Sequence, residues 1–248
     1  MKILVAILKK IKSFLLKINF IQYYVFVRNL LKNPHYLEVK KLTLKEELKT
    51  PTRTSIINFL LSLKAKETLY LEIGVRNPSD NFNHIKSNQK YSVDPGKEFL
   101  ENPVDFKMTS DDFFKANKKQ FDVIFIDGLH HYEQVQKDLI NSLNVLNQDG
   151  LILIHDMLPQ NPGQEKVPQS QASWTGDVWK LAVELLESKI DFVIANIDHG
   201  VGIVKPRGKK IYKSKNEKLF DQRFDSFMEI KEKLPIVTCE EAFDFIDS

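Results

Sequence analysis

Two runs of consecutive apolar residues limit this chain more than anything else in it: VIFI within FDVIFIDG (121–128) and LILI within GLILIHDM (150–157). Apolar side chains at successive positions of a strand point to opposite faces, so both faces of these strands must be covered. Between them, HHYEQVQKDLINSLNVL (130–146) places Tyr132, Val135, Leu139, Leu143 and Leu146 on one helical stripe, with His130, Gln134 and Asp138 opposite. A strand, a helix and a second strand of this kind form a parallel pair.

The alternation extends in both directions. SIINFLLSL and DDFFKANKK have helical spacing, while TLYLEIGV (68–75) and KYSVD (90–94) have that of strands. After a loop over 158–173, TGDVWKLAVELLES predicts a capped helix, and DFVIANIDHGVGIVKP predicts two strands joined at Asp198 to Gly200. That turn is too short for a crossover, so the pair is antiparallel at the end of an otherwise parallel sheet. Asn33-Pro34 and Pro51 break the chain before this region, and residues 208–248 predict helices. The expected organisation is an arm over 1–50, a main domain over 51–207 and a C-terminal helical extension over 208–248. With 248 residues and 42% hydrophobic content, one sizeable core is within reach.

Charge is uneven along the chain. Residues 1–37 hold seven Lys or Arg and no acid, so the remaining 29 basic and 33 acidic residues leave the rest near −4. The main domain has no basic stripe and no nucleic-acid-binding motif, which argues against a nucleic-acid partner. In the arm, Ile3, Ile7, Ile11, Phe14, Leu15 and Ile18 fall opposite Lys2, Lys9, Lys12 and Lys17. This basic amphipathic helix is too interrupted to span a bilayer. It can lie at an anionic membrane surface through residues 1–31, or pack on its own domain or on a second subunit in a homo-oligomer. The single cysteine, Cys239, suits a reducing compartment, so the expectation is cytoplasmic, with membrane association through the arm left open.

Ligands of open α/β sheets bind beyond the carboxyl ends of the strands. Here those ends carry Glu72 and Gly74, Asp94, Asp127, and the pair His155 and Asp156. LEIGVRNPSDN has one glycine where a dinucleotide fingerprint has three, and no P-loop is present, so a ligand without phosphates fits better. Asp94 can accept from both hydroxyls of a ribose. The plainer readings are a solvent-facing Glu72, a turn-forming Asp94 in VDPG, Asp127 as a helix cap and histidines bonded locally.

The order LEIGV, SVDP, MTSDDFF, FDVIFIDGLHHY and GLILIHD resembles the class I S-adenosylmethionine-dependent methyltransferases over about residues 55–205. It is most similar to the branch of metal-dependent small-molecule and sugar O-methyltransferases and cephalosporin-hydroxylase-like proteins. The resemblance implies a Rossmann-like, mainly parallel seven-stranded sheet with a terminal antiparallel strand, helices on both faces, a helical N-terminal arm and C-terminal helices. It implies S-adenosylmethionine held by Glu72, Gly74, Asp94, Ser110 and Asp111. It implies Mg2+ or another divalent metal on Asp127, His155 and Asp156, and His130 as the base for a hydroxyl of a small-molecule or sugar acceptor. His155 departs from the usual oxygen donors, and its nitrogen suits manganese, iron or zinc better than magnesium. Trp174, in the loop before the helix at 175–188, can cover an acceptor. A rival reading keeps the fold without catalysis, as a nucleoside-binding module recruited to a membrane or partner through the arm.

Overall fold

The computed structural model describes residues 36–64, 67–97, 103–211, 214 and 218–248. The predicted amphipathic helix of the arm lies outside the described residues. The chain divides after Lys45, inside helix α1 (Tyr36–Glu47), and the unit from Glu46 to Ser248 contains the sheet.

In that unit the order is α2 (Arg53–Ser62), β1 (Leu69–Ile73), β2 (Gln89–Val93), α3 (Ser110–Ala116), β3 (Phe121–Ile126), α4 (Tyr132–Asn144) and β4 (Leu146–Ile154). Then come α5 (Lys180–Glu187), β5 (Asp191–Ala195), β6 (Val201–Lys205), α6 (Phe224–Lys231), β7 (Ile236–Val237) and α7 (Cys239–Asp247). The seven strands lie in the order β2-β1-β3-β4-β6-β5-β7. Only β6 runs against its neighbours, pairing antiparallel with both β4 and β5, while β7 adds a parallel edge to β5. The mainly parallel sheet and its antiparallel hairpin near one end are as the sequence predicts. The seventh strand comes from the region read as a C-terminal helical extension: Ile236 and Val237 stand between its two helices and are too short a run for an alternation to show.

The period of two sorts the core. From the central strands, Leu71, Ile73, Ile124, Ile126, Ile152 and Ile154 face one side, where they meet Val135 and Leu139 of α4, Leu181 and Leu185 of α5 and Phe227 of α6. Tyr70, Val123, Phe125, Leu151 and Leu153 face the other, against Ile56, Ile57 and Leu60 of α2 and Ala242 and Ile246 of α7. Each such side chain contributes on the order of 1.5–3 kcal/mol through burial.

Three local readings change. Helix α4 begins at Tyr132, so His130 and His131 precede it in extended or turn backbone, with His131 at φ −109° and ψ 126°. Asp138, placed by periodicity on the polar face, is 1% exposed, because α3 and the strand ends cover that side of α4. Strand β4 starts at Leu146, and a register shift opposite Phe121 and Val123 takes up the Asn147 to Gly150 segment read as a turn.

The chain steps outward from β1 to β2 and then returns to the other side of β1 as β3. The carboxyl ends of β1 and β3 therefore flank the crevice where such sheets bind ligands.

Candidate active site

At that crevice Gly74 has φ +91°, a conformation that glycine adopts without strain. A Cβ there would collide with the backbone of Asp127 and Gly128, so the lone glycine of LEIGV lets the ends of β1 and β3 close together. Asp127 follows β3 directly, and its N–H donates to the Ile73 carbonyl at 2.9 Å. His155 and Asp156 follow β4, with Asp156 at φ +62°. Asp198 sits in the β5–β6 turn at φ +47°, and the antiparallel course of β6 brings that turn to the same end of the sheet.

These elements assemble a cluster of acids and bases. His155 Nδ1 lies 3.0 Å from Asp127 Oδ1 and 3.3 Å from Asp156 Oδ2, and its Nε2 lies 3.4 Å from Asp198 Oδ1. His130 Nδ1 lies 3.1 Å from Asp156 Oδ2 and 2.9 Å from the Trp174 carbonyl, and its Nε2 lies 3.5 Å from Asp127 Oδ1. Arg53, the first residue of α2, donates from Nη1 to both oxygens of Asp198 at 3.1 and 2.9 Å. Its Nε is buried without a hydrogen-bond partner, 3.8 Å from Asp127 Oδ2.

The electrostatics follow from this packing. Burial opposes ionisation of Asp127, but the His155 charge, hydrogen bonds from both histidines and Arg53 hold its carboxyl well below the usual range. Burial likewise opposes charge on His130; Asp156, Asp127 and the Trp174 carbonyl outweigh it and push the imidazole up to about 9. His155 is raised well above its ordinary value, burial again being overcome by Asp127 and Asp156. Asp198 is lowered, the bonds and charges of His155 and Arg53 outweighing its burial. Three carboxylates thus face three cationic side chains.

A loop closes over His130. The Trp174 ring stacks on its imidazole at 5.1 Å and 27°, and the Trp174 Nε1–H donates to the Lys166 carbonyl at 2.8 Å. A Cβ on Gly176 would collide with the His130 carbonyl, and the Asp177 carboxylate accepts from the Tyr132 N–H at 2.7 Å, capping α4 from outside the helix. His131 meets Trp174 edge-on at 5.8 Å.

The residues expected around the cofactor divide. Glu72 is 3% exposed, not solvent-facing, and accepts from the Tyr70 hydroxyl at 2.7 Å and from Asn81 Nδ2 at 3.0 Å. Burial raises it to about 7 against the pull of those two bonds. Asp94 Oδ1 accepts from the Gly96 N–H at 2.5 Å, the turn geometry of Asp-Pro-Gly. Ser110 opens α3, and Gln134 Nε2 of α4 donates to Ser110 Oγ at 3.3 Å, Asp111 Oδ1 at 3.1 Å and Asp138 Oδ1 at 3.1 Å. The cluster of Asp127, His130, His155 and Asp156 forms one site, with Gly74 at its floor through Asp127.

Sequence reasoning missed Arg53 and Asp198. Arg53 shows no pattern of its own, and Asp198 reads as hairpin punctuation; only the antiparallel return of β6, combined with the position of α2, indicates where both point.

Residues 65–157 match a family described as a methyltransferase domain, a span that holds every residue expected to bind cofactor or metal, together with His130. Cofactor-bound Rv0187 from MTB is similar in structure at 12% identity, with 71% of this chain and 90% of that chain covered and a TM-score of 0.47. The SAH-bound Podospora anserina methyltransferase PaMTH1 shows 16% identity over 63% of this chain and 79% of its own, at a TM-score of 0.43. An O-methyltransferase from Bacillus cereus in complex with SAH shows 12% identity over 70% and 91%, at 0.39. No curated protein sequence matches the chain. Among the described residues no helix is long and apolar enough to cross a membrane.

Proposed function

We propose that this protein is an S-adenosylmethionine-dependent O-methyltransferase acting on a hydroxyl of a small molecule or sugar. The observation that carries the reading is the convergence of Asp127, His130 and Asp156 at the switch point of the sheet, within the segment that matches a methyltransferase domain. Methyl transfer needs an oxygen nucleophile in line with the sulfonium methyl, and that oxygen must lose its proton.

The cluster contains groups suited to that task. One donor atom from each of Asp127, His130 and Asp156 lies within 4.8 Å of the others, a span that ligands of one divalent ion occupy. When bound, such an ion would lower the pKa of an acceptor hydroxyl. Asp127, Asp156 and a histidine would hold it; Trp174 would wall the acceptor against water; Gly74 and the carboxyl end of β1 would receive the methionine end of the cofactor. Asp94 would then face the ribose, and Ser110 and Asp111 the adenine. The ion would take charge of the departing proton; His130, cationic within the cluster, can accept it only in its neutral form.

Calorimetry with S-adenosylmethionine and S-adenosylhomocysteine tests the reading directly. Binding of both is expected, with the homocysteine product retained after turnover; titrations flat for both ligands, on protein shown to be folded, would remove it.

A further inference from the structure

A second recess lies at the far end of the sheet from Asp127 and Asp156. Strand β6 runs against β4, with Val204 opposite Ile152, so its last residue, Lys205, comes level with the start of the apolar run LILI. Lys205 alternates with Val204 and therefore shares the side of Ile203, the side covered by α2 and α7. There a cleft of about 730 Å3 opens, a size that holds a small organic ligand. Leu60, Leu151 and Ile246 give it an apolar wall, and Lys64, Lys205 and Arg207 bring three positive charges to it.

Lys205 is the unusual member of this group. It is 8% exposed, and its ammonium meets the Ser248 hydroxyl at 3.3 Å and the Phe245 ring at 4.8 Å, neither of which carries a charge. Asp191, its partner across the β5–β6 pair, is taken by Lys209 Nζ at 3.1 Å and Arg207 Nη1 at 3.7 Å. Burial and the nearby Arg207 lower the Lys205 ammonium below its ordinary value. A buried cation is costly unless an anion meets it, and the cleft is the side from which one can enter.

The other two cations are placed around it by the backbone. Arg207 has φ +47° and Gly208 φ +73°, in a turn closed by the Lys209 N–H donating to the Pro206 carbonyl at 2.8 Å. Lys64, just past the end of α2, donates to the Asp149 carbonyl at 2.7 Å, which uses one of its three ammonium hydrogens. Asp149 and Asp247 also line the cleft, and both are exposed. Three cations against two carboxylates leave a single net positive charge, which suits a head group of low charge and not a polyphosphate.

We propose that this cleft is a second ligand site, for a small amphiphilic oxyanion whose carboxylate or phosphate head is held by Lys205, Lys64 and Arg207 and whose apolar body lies on Leu60, Leu151 and Ile246. It shares β4 and β6 with the crevice but none of the crevice's residues, and the inference does not depend on the methyltransferase reading.

Octanoate and octyl phosphate, below their micellar concentrations, serve as probes on the full chain. Acetate lacks the body and octanol lacks the charge. Calorimetry is expected to show saturable binding of the octyl anions, the tighter one identifying the head group, with acetate and octanol at least about tenfold weaker. In Lys205→Met the affinity for the tighter anion should fall at least about tenfold while octanol is unaffected, and Lys64→Gln should give a smaller loss. Saturation with S-adenosylhomocysteine should leave anion binding unchanged. The proposal is overturned by flat titrations for both octyl anions, by acetate or octanol binding at parity, by full affinity in Lys205→Met, or by displacement with S-adenosylhomocysteine. The comparison among probes on the native protein decides even where a variant does not fold.

Discussion

At the residue scale, Asp138 shows what a buried acid costs. It is 1% exposed, its Oδ2 has no hydrogen-bond partner, and burial pushes its pKa from 3.8 to about 6 against the bonds from Ser110 and Gln134. The folded state therefore binds this proton more tightly than the unfolded chain does. The resulting stability is present below the unfolded value and is lost as pH rises through the window to about 6. Asp138→Asn should stabilise the protein at pH 7–8 by up to about 3 kcal/mol and give no gain near pH 4, as read from denaturant unfolding at both pH values. An equal difference at the two would show that the proton is not involved. Gly74→Ala joins a positive φ to a collision with Asp127 and should cost about 2 kcal/mol or more, with ligand binding at the site lost as well. The sequence identifies Gly74, Asp127 and Asp156 because each ends a strand. It misplaces Asp138, because periodicity reports one helix face at a time and α3 returns to cover the other.

At the element scale, the strands were legible and some helix ends were not. VIFI and LILI announce a sheet covered on both sides, and the structure puts a helical layer on each. The start of α4 is set by Asp177, 45 residues away in the chain, which takes the Tyr132 N–H that a local cap would have taken. No local pattern encodes that contact. Leu139 is fully buried between α4 and the sheet, so Leu139→Ala should cost about 2–5 kcal/mol in thermal or denaturant unfolding. Helix α7 has a complete capping box: the Thr238 hydroxyl accepts from the Glu241 N–H at 3.2 Å, and the Glu241 carboxylate accepts from the Thr238 N–H at 2.8 Å. Thr238→Ala should cost about 1 kcal/mol. Because Phe243 of α7 packs on Phe59 of α2 with ring centroids 4.4 Å apart, that loss should register as global unfolding at lower denaturant and not as fraying of one helix. Hydrogen exchange confined to α7 in the variant would contradict this.

At the scale of the whole molecule, the cluster depends on parts of the chain well separated in sequence. The matched segment supplies Asp127, His130, His155 and Asp156, α2 supplies Arg53, the hairpin supplies Asp198 and the loop before α5 supplies Trp174. A ligand bound at the crevice should therefore stabilise the whole unit. S-adenosylhomocysteine at about 100 times its dissociation constant should add about 2.7 kcal/mol, a rise in Tm of roughly 5–10 °C for a chain of this size. The same rise in Gly74→Ala would place the ligand elsewhere.

The reversed direction of β6 has one more consequence. A piece cut to residues 65–157 would retain every metal-ligand candidate and lose both Arg53 and Asp198, leaving His155 with one acidic neighbour fewer and Asp127 without its guanidinium. The boundary of the portable unit, for anyone grafting this chemistry onto another sheet, is therefore drawn by a hairpin turn and the first residue of a helix, and it encloses more chain than the motif does.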